Sequence, residues 1–323
     1  MSALKRTIKQ ALASPLGWRI THRFLREPGV TVLMYHRITR SGEPFPGLDV
    51  EMFRAQMKWL RDRCTVIRSV DLLEACRGPR RGRPAVLVTF DDGYRDYHDN
   101  AYPVLQELGL PAVVFVATSF IDGGGMIWTD EVHWACRASD VERVRLPWNG
   151  ESTFDLKRPG ERDRLTAACK RYLKDVPDRE RVDWQGHLLD VLGVRGREGE
   201  AGRQMMTWDE VRATMPGTEY GGHTHGHPIL SQLDAAGMER EIRLCRERIE
   251  RETGAPPRTF AYPNGRAVDY NADTKRLLRE HGFELAFTTV EGINGSTVDP
   301  LEIRRVPTRG NSLGDFACLV SNL

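Results

Sequence analysis

The sequence predicts an α/β fold whose parallel strands close into a barrel. Three observations lead there. Seven short apolar runs, at 30–38, 85–90, 112–120, 219–223, 258–262, 285–290 and 303–308, are rich in Val, Phe and Tyr, and most lack alternation. Strands buried on both faces have that signature. Helical patterns fall between these runs, and the 323 residues suffice for one large α/β domain with insertions or two average domains.

Each element has a local reason. At 51–63, Phe53, Met57 and Leu60 share one helical face, and 99–108, 235–252 and 272–281 behave similarly. Thr207 followed by Glu210 reads as a capping box that opens a helix. Alternation of strand and helix over this length is the mark of a parallel sheet. From about 122 to 206 the alternation stops: helical patterns at 131–138 and 163–173 precede a Gly/Arg/Glu-rich stretch at 192–202, with no strong strand. We read it as an insertion on one face of the barrel, where added loops shape substrate choice. The expected organisation is a basic amphipathic segment at 1–27 and a barrel domain at 28–323 that carries the insertion.

Composition excludes several classes. With 40% hydrophobic and 28% charged residues the chain is not wholly disordered, and a net charge of +2 gives no nucleic-acid footprint. The longest uncharged apolar stretch, 108–121, is too short to span a bilayer. The six cysteines form no CxxC pair and no disulfide framework. No export signal stands out in the first 26 residues, so free thiols and a cytoplasmic location are expected. Near the N-terminus Leu4, Ile8 and Leu12 form a stripe beside Lys5, Arg6 and Lys9. That segment could contact the inner membrane peripherally or dock on the protein itself.

Two motifs carry chemistry. In Val88-Thr89-Phe90-Asp91-Asp92-Gly93-Tyr94 an apolar strand ends in adjacent carboxylates. Two acids that repel and lose solvation are tolerated where a cation neutralises one of them. An Asp-Asp-Gly turn is the plainer alternative. In Gly222-His223-Thr224-His225-Gly226-His227-Pro228, three of the nine histidines fall within five residues. One helical turn would bring His223 and His227 to the same side, a spacing suited to a borderline metal such as zinc.

Together these residues resemble the polysaccharide deacetylase family, the NodB-homology carbohydrate esterases. The likeness rests on Thr89 to Gly93 and on His223-Thr224-x-x-His227. It extends to Tyr35-His36, to Phe260-Ala261-Tyr262-Pro263-Asn264-Gly265 and to 303–307, and so runs over roughly 30–316. The resemblance implies a distorted (β/α)7 barrel and metal-dependent removal of acyl groups from sugars. It implies one divalent ion, zinc first among the transition metals, held by Asp92, His223 and His227. Asp91 would be the base and the backbone N–H of Asn264 an oxyanion donor.

The chain departs from the common family pattern at two places. Ala261 stands where many members carry an orienting Arg, and no histidine follows His281 to supply the usual late acid. Both departures resemble the poly-β-1,6-N-acetylglucosamine deacetylases, in which the acid histidine comes early. That likeness makes His36 the candidate acid and places the orienting Arg in Ile303-Arg304-Arg305-Val306-Pro307. Alternation sends Arg304 and Arg305 to opposite faces, and the subgroup match favours Arg305. Tyr94 could line the cleft or pack. Trp128 could stack on a pyranose or pack the insertion onto the barrel. The expected partner is an acetylated saccharide, whether polymer, lipid-linked or nucleotide-linked, in surface-polysaccharide synthesis. O-deacetylation, deformylation, cleavage of a non-sugar amide, or glycan binding without turnover are the alternatives.

Overall fold

A computed structural model of the chain describes residues 29–78, 82–122, 125–148, 153–308 and 312–321. The amphipathic segment expected at 1–27 lies outside the described residues. The strands are β1 (Val30–Tyr35), β2 (Ile38–Thr39), β3 (Leu48–Asp49), β4 (Thr65–Val66), β5 (Ala85–Phe90), β6 (Ala112–Val116), β7 (Arg143–Arg145), β8 (Thr153–Asp155), β9 (Thr218–Gly222), β10 (Thr259–Ala261), β11 (Leu285–Phe287) and β12 (Val306–Pro307). The helices are α1 (Val50–Arg63), α2 (Leu72–Arg77), α3 (Tyr102–Leu108), α4 (Trp128–Ala138), α5 (Glu161–Asp175), α6 (Asp178–Val191), α7 (Trp208–Thr214), α8 (Ala235–Thr253), α9 (Ala272–Glu280) and α10 (Leu313–Ser321).

The main sheet is parallel, in the order β11-β10-β9-β6-β5-β1-β12. A parallel bridge from Phe287 to Ile303 joins β11 to the residues just before β12. The 303–307 segment therefore lies between β11 and β1, and the curled sheet forms a distorted barrel of seven strand positions. β4 pairs with Ala85 and Val86, below the residues of β5 that β6 uses.

Side-chain parity explains the missing alternation. Val30, Val32, Leu87, Val113, Phe115, Ala261, Phe287 and Ile303 meet in one buried cluster inside the curl. Leu33, Tyr35, Val86, Val88, Phe90, Val114 and Val116 point the other way, against α1, α3 and α10. Apolar residues on both faces leave no polar phase in the sequence. The same parity continues past the strand ends, where the inward series reads Val32, Met34, His36 on β1, Leu87, Thr89, Asp91 on β5, and Ile303, Arg305 before β12.

Three details differ from the sequence expectations. β6 stops at Val116 rather than 120, because the N–H groups of Thr118 and Ser119 turn to the carbonyls of Thr224 and His225. The stretch 122–206, expected to hold no strong strand, contains the short antiparallel hairpin β7–β8, centred on buried Val144 and Phe154. It also holds α6, whose buried face amounts to Arg181, Leu188 and Leu189. With α4, α5 and this hairpin, the stretch builds its own apolar core around Trp128, Leu165 and Leu173. All six cysteines are buried, and no helix among the described residues is long and apolar enough to cross a membrane.

β9 passes close to its neighbours because Gly221 has no side chain. A Cβ there would lie 2.7 Å from the Phe115 ring and against Thr259 Oγ1. Gly221→Ala is therefore expected to lose about 1–3 kcal/mol of stability through overpacking, read as a lower midpoint in urea unfolding with an unchanged slope.

Candidate active site

The residues singled out in the sequence meet at the C-terminal ends of the strands, the end at which barrel folds carry their chemistry. His36 follows β1, Asp91 and Asp92 follow β5, His223 follows β9, Asn264 lies beyond β10 and Arg305 precedes β12. They line a cleft of about 900 Å3 together with Tyr94 and residues of the insertion, with Arg305 just beneath its floor.

Asp91 is 3% exposed, and its N–H extends the β1–β5 ladder to the Tyr35 carbonyl at 3.0 Å. The fully buried Arg305 grips its carboxylate with two bonds, Nη1 to Oδ1 at 2.6 Å and Nη2 to Oδ2 at 2.8 Å. Arg305 is itself held by Nε donating to the Thr288 carbonyl at 2.8 Å. Arg304 lies on the exposed side of the strand, as parity dictates. His36, about half exposed, places Nε2 3.9 Å from Asp91 Oδ2. Burial works against the charge on Asp91, but Arg305, His223 and His36 outweigh it and hold the carboxyl below its ordinary pKa.

Asp92 faces the other way. Its Oδ1 lies 3.3 Å from Nε2 of His223 and 3.3 Å from Nε2 of His227. One donor atom from each of the three residues lies within 4.8 Å of the others. His223 Nδ1 is 2.7 Å from the Ala261 carbonyl, which can only accept, so Nδ1 carries a proton and Nε2 is the atom turned toward Asp92. Burial opposes the charge on Asp92, yet the bonds to both imidazoles hold it well below the usual carboxylate range. Burial keeps His227 below its ordinary pKa, and so neutral at pH 7. At His223 burial is overridden by Asp92, Asp91 and the Ala261 carbonyl, which raise it. One carboxylate and two convergent Nε2 atoms are a donor set that fits a tetrahedral or five-coordinate zinc-like ion with open positions.

The histidines do not converge through a helical turn, as their spacing suggested. They sit on an irregular loop in which Thr224 and His227 have φ of 64° and 59°. Four of the five non-glycine residues with positive φ among the described residues belong to this site: Asp92, Thr224, His227 and Asn264. Backbone strain of about 1–3 kcal/mol each persists only where the surroundings enforce it. Glu241 on α8 supplies part of that enforcement, its Oε2 accepting the N–H groups of His225 and Gly226 at 2.9 and 2.6 Å. His225 points away from the site, its Nδ1 2.9 Å from Thr118 Oγ1.

Sequence reasoning missed Glu241, although a signal existed. It lies three residues after Met238 and four before Cys245, on the buried stripe of α8. It also missed Arg37, whose guanidinium stacks 3.6 Å over the Tyr94 ring and bonds Asp130 of the insertion at 2.6 Å. Tyr94 thus lines the cleft while anchoring Arg37. Trp128 requires a correction. It is 4% exposed in the core of the insertion, lines a separate cavity of about 360 Å3, and is absent from the wall of the main cleft. Thr129 and Asp130 reach the cleft from that helix instead. Asn264 lines the cleft with φ 63°, and its side-chain Nδ2 is buried without a partner among the described residues.

A family model described as polysaccharide deacetylase matches residues 78–144 and 193–286. The chain belongs to the polysaccharide deacetylase family. Among curated relatives it is similar to YxkH of Bacillus subtilis (strain 168), named after the same family, with 38% identity over 87 residues, 26% of this chain and 30% of that one. It is also similar to the poly-beta-1,6-N-acetyl-D-glucosamine N-deacetylase of Escherichia coli (strain K12), with 28% identity over 100 residues, 29% of this chain and 15% of that one. The matched stretch thus spans less than a third of either relative. Two solved structures share the fold. The Streptococcus pyogenes deacetylase PplD in complex with acetate has a TM-score of 0.60 at 17% identity, covering 91% of this chain and 98% of that one. IcaB from Ammonifex degensii has 0.58 at 18% identity, covering 92% and 98%.

The Arg305–Asp91 pair makes a prediction of its own. Arg305→Gln leaves a buried carboxylate unpaired and is expected to cost about 3–5 kcal/mol in denaturant unfolding. Asp91→Asn combined with Arg305→Gln should cost less than the sum of the two single changes, because the pair is coupled.

Proposed function

We propose that the chain is a divalent-metal-dependent deacetylase that removes acetyl groups from an N-acetylated sugar of a surface polysaccharide or its precursor. One observation carries this reading: a three-donor site, a separately held carboxylate and a half-exposed imidazole converge at the floor of one cleft. The match to the poly-β-1,6-N-acetylglucosamine deacetylase supports the amide rather than the ester as substrate, and the family match supports the reaction class.

Asp92, His223 and His227 would hold the ion, which when bound supplies Lewis-acid polarisation of the acyl carbonyl and of a water. Asp91 is the base. Arg305 keeps it ionised and fixes both its oxygens, so the carboxylate is ready to take a proton from water without reorienting. The backbone N–H of Asn264 is the oxyanion donor. The left-handed turn at that residue leaves its N–H without a backbone acceptor among the described residues. His36 protonates the leaving nitrogen. Its exposure lets it reach the substrate, and it stands beside Asp91 with Nε2 3.9 Å from Oδ2.

Acetate release from a panel of acetylated hexosamines tests this reading, with metal content measured on the same preparations. About one equivalent of a divalent ion is expected, lost in Asp92→Asn or His223→Ala. Asp91→Asn should keep the ion and lower kcat by about 10²–10⁴. His36→Ala should depress amide cleavage far more than ester cleavage, because an alkoxide leaves without the same need for a proton. Sugar binding with neither metal nor acetate release would instead mark a glycan-binding module.

A further inference from the structure

The cleft has a second charged feature that the proposed chemistry does not use. Lys170 and Lys174 stand four residues apart on α5, so both side chains leave the same helical face. Both line the main cleft, joined by His133 of α4. Both are only partly exposed, and neither ammonium has an ion-pair or hydrogen-bond partner among the described residues. Burial lowers the pKa of each lysine, aided at Lys170 by Lys174 and at Lys174 by Arg266. Two partly desolvated like charges on one face repel, an arrangement that costs stability until an anion arrives.

The neighbouring acids are already engaged. Asp130 bonds Arg37 at 2.6 Å, Asp269 bonds Arg266 at 2.9 Å, and Asp175 lies 3.8 Å from Arg266. Elsewhere in the cleft Asp91 is taken by Arg305, Asp92 by the two imidazoles, and Asp49 by the N–H groups of Glu51 and Met52. None of these acids makes a direct bond to either ammonium, and Asp130 attracts Lys170, and Asp269 and Asp175 attract Lys174, only at longer range. Both lysines also lie in the stretch 145–192 that the family model leaves unmatched, so they belong to the chain's own insertion.

We propose that Lys170 and Lys174 form an oxyanion subsite, and that the substrate is an acetylated saccharide bearing a phosphoryl or carboxylate group rather than a neutral glycan. The proposal names the substrate class of the deacetylase reading and rests on it. Lys170→Gln/Lys174→Gln is compared with wild type and with Lys170→Arg/Lys174→Arg. The substrates are a neutral N-acetylglucosamine oligomer, N-acetylglucosamine 1-phosphate and an N-acetylhexosaminuronate oligomer, the last two separating phosphate from carboxylate as the source of charge.

Wild type should prefer one acidic substrate over the neutral one by about ten-fold or more in kcat/KM. The Gln pair should bring that ratio near unity, and the Arg pair should retain it. No preference in wild type, or a preference that survives the Gln pair, overturns the subsite. If no substrate releases acetate, the deacetylase reading fails separately. Calorimetry with N-acetylglucosamine 1-phosphate then decides the subsite: binding weakened about ten-fold or more in the Gln pair supports it, and equal binding, or none in wild type, overturns it.

Discussion

Two carboxylates side by side at the end of a buried strand are the constraint on which the rest of the molecule depends. Asp91 and Asp92 are 3% and 5% exposed, and burying either alone would be prohibitive. The fold resolves the conflict by turning them apart. Asp91 follows the inward parity of β5 and meets Arg305. Asp92 takes a left-handed backbone and meets two imidazoles. Neither solution is local in sequence: Arg305 lies 214 residues away and comes near only because 303–307 sits between β11 and β1. Barrel closure and the ionisation of Asp91 are therefore coupled.

Parity and strain then divide the remaining work. Parity sends His36, Asp91 and Arg305 inward as the last members of otherwise apolar series. Strain places what parity cannot, since Asp92, Thr224, His227 and Asn264 all bend into the left-handed region. Glu241, the Thr118 and Ser119 amides and the Ala261 carbonyl hold that bent backbone and its side chains. Ala261 packs in the inner cluster, and the guanidinium that grips Asp91 comes instead from Arg305, just before β12.

Much of this could be read before any coordinates. The apolar runs at 85–90 and 112–120 announce strands because burial on both faces demands β-branched and aromatic residues there. The acid pair and the three clustered histidines stand out because such residues seldom occur at strand ends without a use. What could not be read has physical reasons. His223 and His227 converge as their spacing suggested, but through left-handed backbone rather than a helical turn, a route that spacing alone does not encode. β7 and β8 are three residues each, too short for a pattern. The α6 stripe is thin because Arg181 fills part of it. The sequence left Trp128 open between sugar stacking and packing, and its neighbours Val132 and Cys136 lie on a buried face that carries it into the core. The unpaired ammoniums of Lys170 and Lys174 emerge only once the acids nearest them are placed, Asp130 on Arg37 and Asp269 and Asp175 beside Arg266.

The insertion is tied to the floor of the cleft. Arg37, next to His36, stacks on Tyr94 and reaches Asp130 of the insertion, so the wall that carries the lysines is bolted to the end of β1. The central claim remains the ion site, and anomalous diffraction from crystals grown with zinc tests it most directly. The expected result is a single strong peak about 2.0–2.2 Å from an Asp92 oxygen and from Nε2 of both His223 and His227. A peak elsewhere in the molecule, or ligation through His223 Nδ1 with its bond to the Ala261 carbonyl broken, contradicts it.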